Sequence, residues 1–311
     1  MILRQSPWLL ESDDPSLLYQ VRRDLMGDRL DCCGSLQREA VGKGWVGLLL
    51  EQQKPDGGWG RSVYNPKWTC THYVLYELVQ LGCLDTLEAA RRGVRLLFEQ
   101  PVGQSGGINY AKTIPDSDVC VNGMILCIAS YFGMEKQMLV PLVDYLLKVQ
   151  MADGGWNCEC AHGAVHSSFH STIGVLEGLL AYRQRYGVDN HYELLDQVIS
   201  RGIECILMHR LFRSDHSGEV IDGGFLKFPF PVRWKYDILR CLDTFQAYGV
   251  PYDPRMDEAL DIIWDARMGN GRWRAASQVG KTYFILEKNG CASRWNTLRA
   301  LRVLKVYRTQ L

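Results

Sequence analysis

No charge of either sign dominates this sequence: 35 Lys and Arg balance 35 Asp and Glu across 311 residues. Nothing global therefore favours nucleic acid or an anionic membrane surface as a partner. Long apolar runs are missing too. The most membrane-like segment, GMILCIASYFG, is about half the length a spanning helix needs. The opening MILRQSPWLLESDD has neither the basic start nor the apolar stretch of a secretory signal. The chain contains no GxxxxGK[ST] phosphate loop, no GxGxxG dinucleotide fingerprint, no HExxH helix and no DDxxD-like run. No nucleophile elbow supports a Ser–His–Asp triad. Eleven cysteines, an odd number scattered along the chain, do not read as a disulfide framework. The expected compartment is the reducing cytoplasm, with most thiols acting as small buried hydrophobes.

What the sequence does have is a folded composition and a period. Apolar residues make up 47% and charged residues 23%, which excludes broad disorder. Gly57-Gly58, Gly106-Gly107, Gly154-Gly155, Gly223-Gly224 and Gly271 recur at separations of 49, 48, 69 and 47 residues. Before each break lies a segment with apolar residues at helical spacing, such as WVGLLLEQQ from Trp45, RRGVRLLFEQ from Arg91 and VDYLLKVQ from Val143. After each break comes a second one, such as THYVLYELVQLG from Thr71 or CVNGMILCIASYFG from Cys120. Helix, glycine-rich turn, helix is thus repeated five times, over 45–83, 91–133, 142–187, 198–249 and 257–307, after irregular N-terminal helices in 15–40. Two-helix units of this kind bury their apolar faces against neighbours, as an open superhelix or a ring.

The strings QQKPDGGW, ending at Trp59, and KVQMADGGW, ending at Trp156, with a degenerate ARMGNGRW ending at Trp273, resemble the glutamine–tryptophan repeats of terpenoid cyclases and protein prenyltransferases. The resemblance runs from Trp45 to the C-terminus. It implies an all-α fold, an α/α toroid occupying 1–311 as one domain, with the second helices forming an inner barrel. The glutamines and tryptophans themselves read as structural: the amide bonds the ends of the turn and the indole packs across adjacent hairpins. Such folds host cyclisation, alkyl transfer and non-catalytic binding, so fold does not settle chemistry.

In a ring, the N-termini of the second helices converge on one face, and the polar and aromatic residues there are the candidate site. Asp118, Cys120 and His170 match, residue by residue, the three zinc ligands of protein prenyltransferases. The resemblance implies one zinc with an open position that activates a thiol for alkylation. A rival set in NCECAHGAVH, made of Cys158, Cys160, His162 and His166, would close a structural zinc site. The cyclase resemblance points instead to the acid of an Asp-x-Asp-Asp run. Asp116-Ser117-Asp118-Val119 keeps its first two acids and lacks the last. Asp116, Asp118 and His166 are therefore the candidate acid–base residues. Trp68, His72, Trp234, Lys235, Arg294 and Trp295 are the candidate substrate contacts at the mouth. The segment GGFLKFPFPVRWKYD, 223–237, is a candidate lid or rim, with plain packing against its hairpin as the alternative.

The leading expectation is a cytoplasmic prenyltransferase- or terpenoid-cyclase-like enzyme acting on an isoprenoid or other hydrophobic small molecule by zinc-assisted alkyl transfer to a thiol. The alternatives are acid-initiated cyclisation, and a non-catalytic toroid that binds a peptide, lipid or partner protein.

Overall fold

The computed structural model describes residues 7–28, 30–111, 115–187, 194–276 and 280–308. Among them are twelve α-helices and one short β-pair. The N-terminal part holds α1 (Pro15–Gln20), running into a π-helical turn (Val21–Met26), and α2 (Leu30–Ala40); of the expected 15–40 segment, residue 29 lies outside the described residues. Five hairpins follow: α3 (Gly44–Glu51) with α4 (Thr71–Gln80), α5 (Glu88–Phe98) with α6 (Val119–Tyr131), and α7 (Lys136–Lys148) with α8 (Phe169–Tyr186). Then come α9 (Leu195–Met208) with α10 (Ile238–Ala247), and α11 (Asp257–Asp265) with α12 (Arg294–Tyr307). The strands β1 (Trp273–Arg274) and β2 (Ala292–Ser293) pair antiparallel, Trp273 opposite Ser293, and so start α12.

Burial separates the two helices of a hairpin into layers. In α6, eleven of thirteen residues are buried, whereas α5 buries four of eleven. A helix covered on all sides lies inside and an amphipathic one lies outside. Thus α4, α6, α8, α10 and α12 form the inner layer. Two of them approach very closely: a Cβ on Gly123 would lie 2.5 Å from the Gly174 carbonyl oxygen, and one on Gly178 would lie 2.3 Å from the Gly123 carbonyl oxygen. Glycine is needed there because backbone meets backbone.

The glutamine–tryptophan strings build one repeated clamp. Trp59, Trp156 and Trp273 are each buried, and each indole N–H donates to a carbonyl of the preceding outer helix: Leu49 at 2.7 Å, Leu146 at 2.8 Å and Ile263 at 2.7 Å. The backbone N–H of each donates to a threonine in the first turn of the following inner helix, Thr71, Thr172 and Thr297. The glutamine amide then reaches forward. Gln53 donates to Gly57 and to Ala89 of the next outer helix, and Gln150 donates to Gly154 and to Val198 of the next, all at 2.7–2.8 Å. The structural reading of these residues holds. The two hairpins without tryptophan carry Ile108 and Phe225 after their paired glycines. Ile108 is pinned by the Asn122 amide, which accepts from its N–H at 2.7 Å and donates to its carbonyl at 2.9 Å.

The two ends of the array also meet. Arg302 of α12 donates to Asp24 and Gln20 at 3.0 Å and to Asp243 of α10 at 2.5 Å, and Lys305 donates to the Asp24 and Leu25 carbonyls. The segment 223–237 lies among the inner helices rather than over them. Gln80 of α4 bonds both backbone groups of Val232, Asn296 of α12 donates to the Phe228 carbonyl, and Phe230 stacks on Trp295 at 4.8 Å. Arg240 anchors its far end through the Arg233 and Lys235 carbonyls. The same guanidinium makes a buried bidentate pair with Glu177 of α8, at 2.7 and 2.8 Å, which also accepts from Tyr76 of α4.

The clamps carry a sharp packing expectation. A Cβ on Gly93 would lie 2.8 Å from the Trp59 ring, and one on Gly202 would lie 2.7 Å from the Trp156 ring. Gly202→Ala should therefore cost about 1–3 kcal/mol in urea unfolding. Gly269→Ala, with open space around it, should be near neutral; equal effects would contradict the clamp.

Candidate functional site

At the N-termini of α6 and α8 lies a cavity of about 240 Å³, lined by Tyr64, Lys67, Asp118, Cys120, Val121, Asn157, Cys158, Ser168, His170, Ser171 and Trp234. Asp118 is the N-cap residue of α6 by backbone, yet its side chain caps nothing. That role falls to a sulfur from the turn that leads into α8: the Cys120 N–H donates to Cys158 Sγ at 3.3 Å, and Ser171 Oγ donates to the same sulfur at 3.3 Å. The free Asp118 carboxylate faces the cavity wall. Burial raises its pKa above the ordinary carboxylate value, while the Lys67 charge opposes the rise.

Cys158 and Cys120 influence each other strongly. The hydrogen bond from the Cys120 thiol, helped by Ser171 and the Cys120 N–H against the effect of burial, brings Cys158 down to about 7. The same bond, with burial, pushes Cys120 well up. His170 is oriented from the other side. Its Nδ1 accepts the Tyr236 N–H at 2.8 Å, and Trp234 and Phe225 meet its ring edge-on at 5.2 and 5.6 Å. An accepting Nδ1 leaves the proton on Nε2. Burial, with the Arg240 and Lys235 charges, lowers its pKa, favouring the neutral ring.

The zinc expectation is corrected by this geometry. Asp118, Cys120 and His170 border one cavity, but among the described residues no group of three or more His, Cys, Asp or Glu side chains is arranged to hold a metal ion. His170 spends Nδ1 on the Tyr236 backbone, and Cys120 is paired with Cys158 rather than turned toward Asp118. The rival set fails as well. Cys158 turns inward to Ser171, Cys160 starts a 3₁₀ turn, His162 bonds Glu159 at 3.1 Å on the surface, and His166 is exposed.

The other expected residues are dispersed. Asp116 accepts from Ser105 at 2.9 Å and borders a separate cavity of about 320 Å³ beside Tyr145, Cys158 and Cys160. His166 borders an outer groove with Asp153, Phe169 and His209. Trp68 carries the Arg233 guanidinium at 4.4 Å over its ring. His72 is fully buried against Tyr110, and burial drives its pKa down to about 3. Lys235 is exposed with its ammonium over Trp234; Arg294 lies over Trp8; Trp295 is buried.

Sequence reasoning missed Tyr64, Lys67 and Ser171 on the cavity wall and the pairing of Cys158 with Cys120. It also missed two buried acids. Burial lifts Glu77 to about 7 and Asp237 to about 6. Asp237 caps α10 through one oxygen, accepting the Arg240 N–H at 2.8 Å, and its other oxygen is buried without a partner. Because the folded pKa lies above the usual ~3.9, the folded state holds this proton longer than the unfolded chain. Its contribution favours folding at low pH and is lost as pH rises through about 6. Asp237→Asn keeps a capping oxygen and removes this titration. The variant should gain about 2–3 kcal/mol on wild type between pH 4 and 7.5 in urea unfolding. A difference that does not change with pH would contradict the assignment.

No family model matches the chain. Mouse lanosterol synthase is 26% identical over 250 residues, an alignment that takes in 70% of this chain and 32% of that protein. The chain thus spans about a third of that relative's length. A solved structure of a protein from Actinoplanes aligns over 98% of both chains at 15% identity and a TM-score of 0.49. No helix among the described residues is long and apolar enough to cross a membrane. At the level the sequence comparison supports, the chain is distantly similar, at low identity, to lanosterol synthase.

Proposed function

We propose that the chain closes into an α/α toroid and is an enzyme of the terpenoid-cyclase kind, in which Asp118 starts the reaction by protonating an alkene or epoxide. The carrying observation is a carboxyl group with a raised pKa on the wall of an aromatic-bearing cavity. The contacts of Arg302 and Lys305 with the N-terminal helices support closure. The proton-bearing oxygen of Asp118 gives its proton to the substrate, and the double-bond electron pair becomes the new C–H bond. Lys67 then faces a carboxylate, and its charge favours that product state. The cation left behind is bordered by the aromatic rings of Tyr64 and Trp234, which line the same cavity. Loss of a proton from an adjacent carbon back to Asp118 restores the acid and balances the cycle. His170 is not the base, since its Nδ1 lone pair is held by the Tyr236 N–H.

Size narrows the substrate. A cavity of about 240 Å³ falls below the ~300–1,000 Å³ that encloses a drug-sized ligand. It takes a short isoprenoid, or the reacting end of a longer one. Wild type incubated with labelled short-chain isoprenoid alkenes and their epoxides should give isomeric cyclic products, detected by gas chromatography and mass spectrometry. Asp118→Asn should lower the rate by about 10²-fold or more while leaving substrate binding. The wild-type rate should fall as pH rises through the elevated Asp118 pKa. Full activity in Asp118→Asn, or no product from any of these substrates, would defeat the reading.

A further inference from the structure

The same cavity holds a second chemistry that acid catalysis does not use. Cys158 sits two residues beyond the clamp residue Trp156, on the turn that leads into α8, and Cys120 sits in the first turn of α6. Of the ten cysteines whose side chains are described, Cys120, Cys158 and Cys160 are half-buried, Cys291 is exposed and the rest are buried. Only Cys120 and Cys158 share the cavity at the inner-helix mouth. The Cys158 sulfur receives the Cys120 N–H and the Ser171 hydroxyl, each at 3.3 Å, and these donors act against burial and the Asp118 charge in the same cavity. A sulfur so placed at the start of a thirteen-residue helix is favoured as an anion. The lowered value for Cys158 and raised value for Cys120 agree with that asymmetry.

We propose that Cys158 and Cys120 form a peroxide-reactive dithiol, with Cys158 attacking and Cys120 resolving, which closes reversibly into a disulfide. The Cys158 thiolate attacks one oxygen of hydrogen peroxide. The O–O bond breaks, hydroxide leaves, and Cys158 becomes a sulfenic acid. The Cys120 sulfur then displaces hydroxide from it: the S–O bond breaks, the S–S bond forms, and the Cys120 proton leaves with hydroxide as water. Two thiols lose two electrons and one peroxide gains them. A Cys120–Cys158 bond would tie the start of α6 to the turn before α8 across the cavity, next to Asp118. The proposal stands apart from the cyclisation reading, because its readout is the state of the sulfurs and not a terpenoid product.

The full-length chain, reduced and then exposed to graded hydrogen peroxide at pH 7, tests it by peptide mapping. The expected product is one intramolecular link between the Cys120 and Cys158 peptides, reversed by dithiothreitol. It should form at least about tenfold faster than oxidation of exposed Cys291. In Cys120→Ser, Cys158 should instead accumulate as a sulfenic acid trapped by dimedone, with the helical circular dichroism of the native chain retained. Oxidation of Cys291 ahead of Cys158 would overturn the proposal, as would a Cys158–Cys160 link.

Discussion

A tryptophan in this fold is held at two ends. Its indole N–H is tied to the carbonyl of the outer helix behind it, and its backbone N–H to a threonine on the inner helix ahead. The ring between those bonds is fully buried against a glycine of the next outer helix. Burying a side chain of that size removes about 150–250 Å² from water, worth on the order of 4–6 kcal/mol. The ring also satisfies a carbonyl at the frayed end of an outer helix. Phenylalanine would supply the area without the indole bond to that carbonyl. Because the same geometry recurs at Trp59, Trp156 and Trp273, the spacing and tilt of the hairpins follow from one local solution used three times. Where tryptophan is absent, other groups take over: Asn122 pins Ile108, and the buried Arg240–Glu177 pair draws α4, α8, α10 and segment 223–237 together.

The clamp also determines where chemistry can sit. It occupies the turn and the first inner-helix threonine, so the residues just around that threonine are left to face the mouth. His170 and Ser171 directly precede clamp residue Thr172, and Cys158 follows Trp156 by two. Cys158 can therefore supply the cap that Asp118 does not, and Asp118, an exposed residue, keeps its carboxyl free of the helix on the cavity wall. One substitution of roles, sulfur for carboxylate at the start of α6, leaves both an elevated acid and a polarised thiol pair in one cavity.

The repeated units were legible because their signals are local. Gly-Gly turns, helical periodicity and the Gln and Trp spacing all act within about ten residues, and the clamp partners Leu49, Leu146 and Ile263 lie ten positions before their tryptophans. The zinc reading failed for the opposite reason. Asp118, Cys120 and His170 were brought to one cavity, but the direction of each side chain was decided by partners far away in sequence: Tyr236 for His170 and Cys158 for Cys120. The long segment 223–237 was expected as a lid or a packed hairpin. It proved to thread between inner helices because Gln80 and Asn296 offer amides to its backbone, pairings 152 and 68 residues apart. Likewise nothing adjacent to Asp237 announces its buried second oxygen.

If the clamps bear the architecture and the mouth is open for chemistry, the tryptophans must divide into two dynamic classes. Hydrogen exchange of the nine indole N–H groups, followed by NMR on protein labelled with ¹⁵N-tryptophan, reads this directly. The indoles of Trp59, Trp156 and Trp273 should exchange only through global unfolding, sharing one protection free energy that falls with urea at the global slope. Half-buried Trp68 and Trp234 should exchange faster, by local opening. Clamp indoles that exchange as fast as Trp234, or with three unrelated protection energies, would contradict the account.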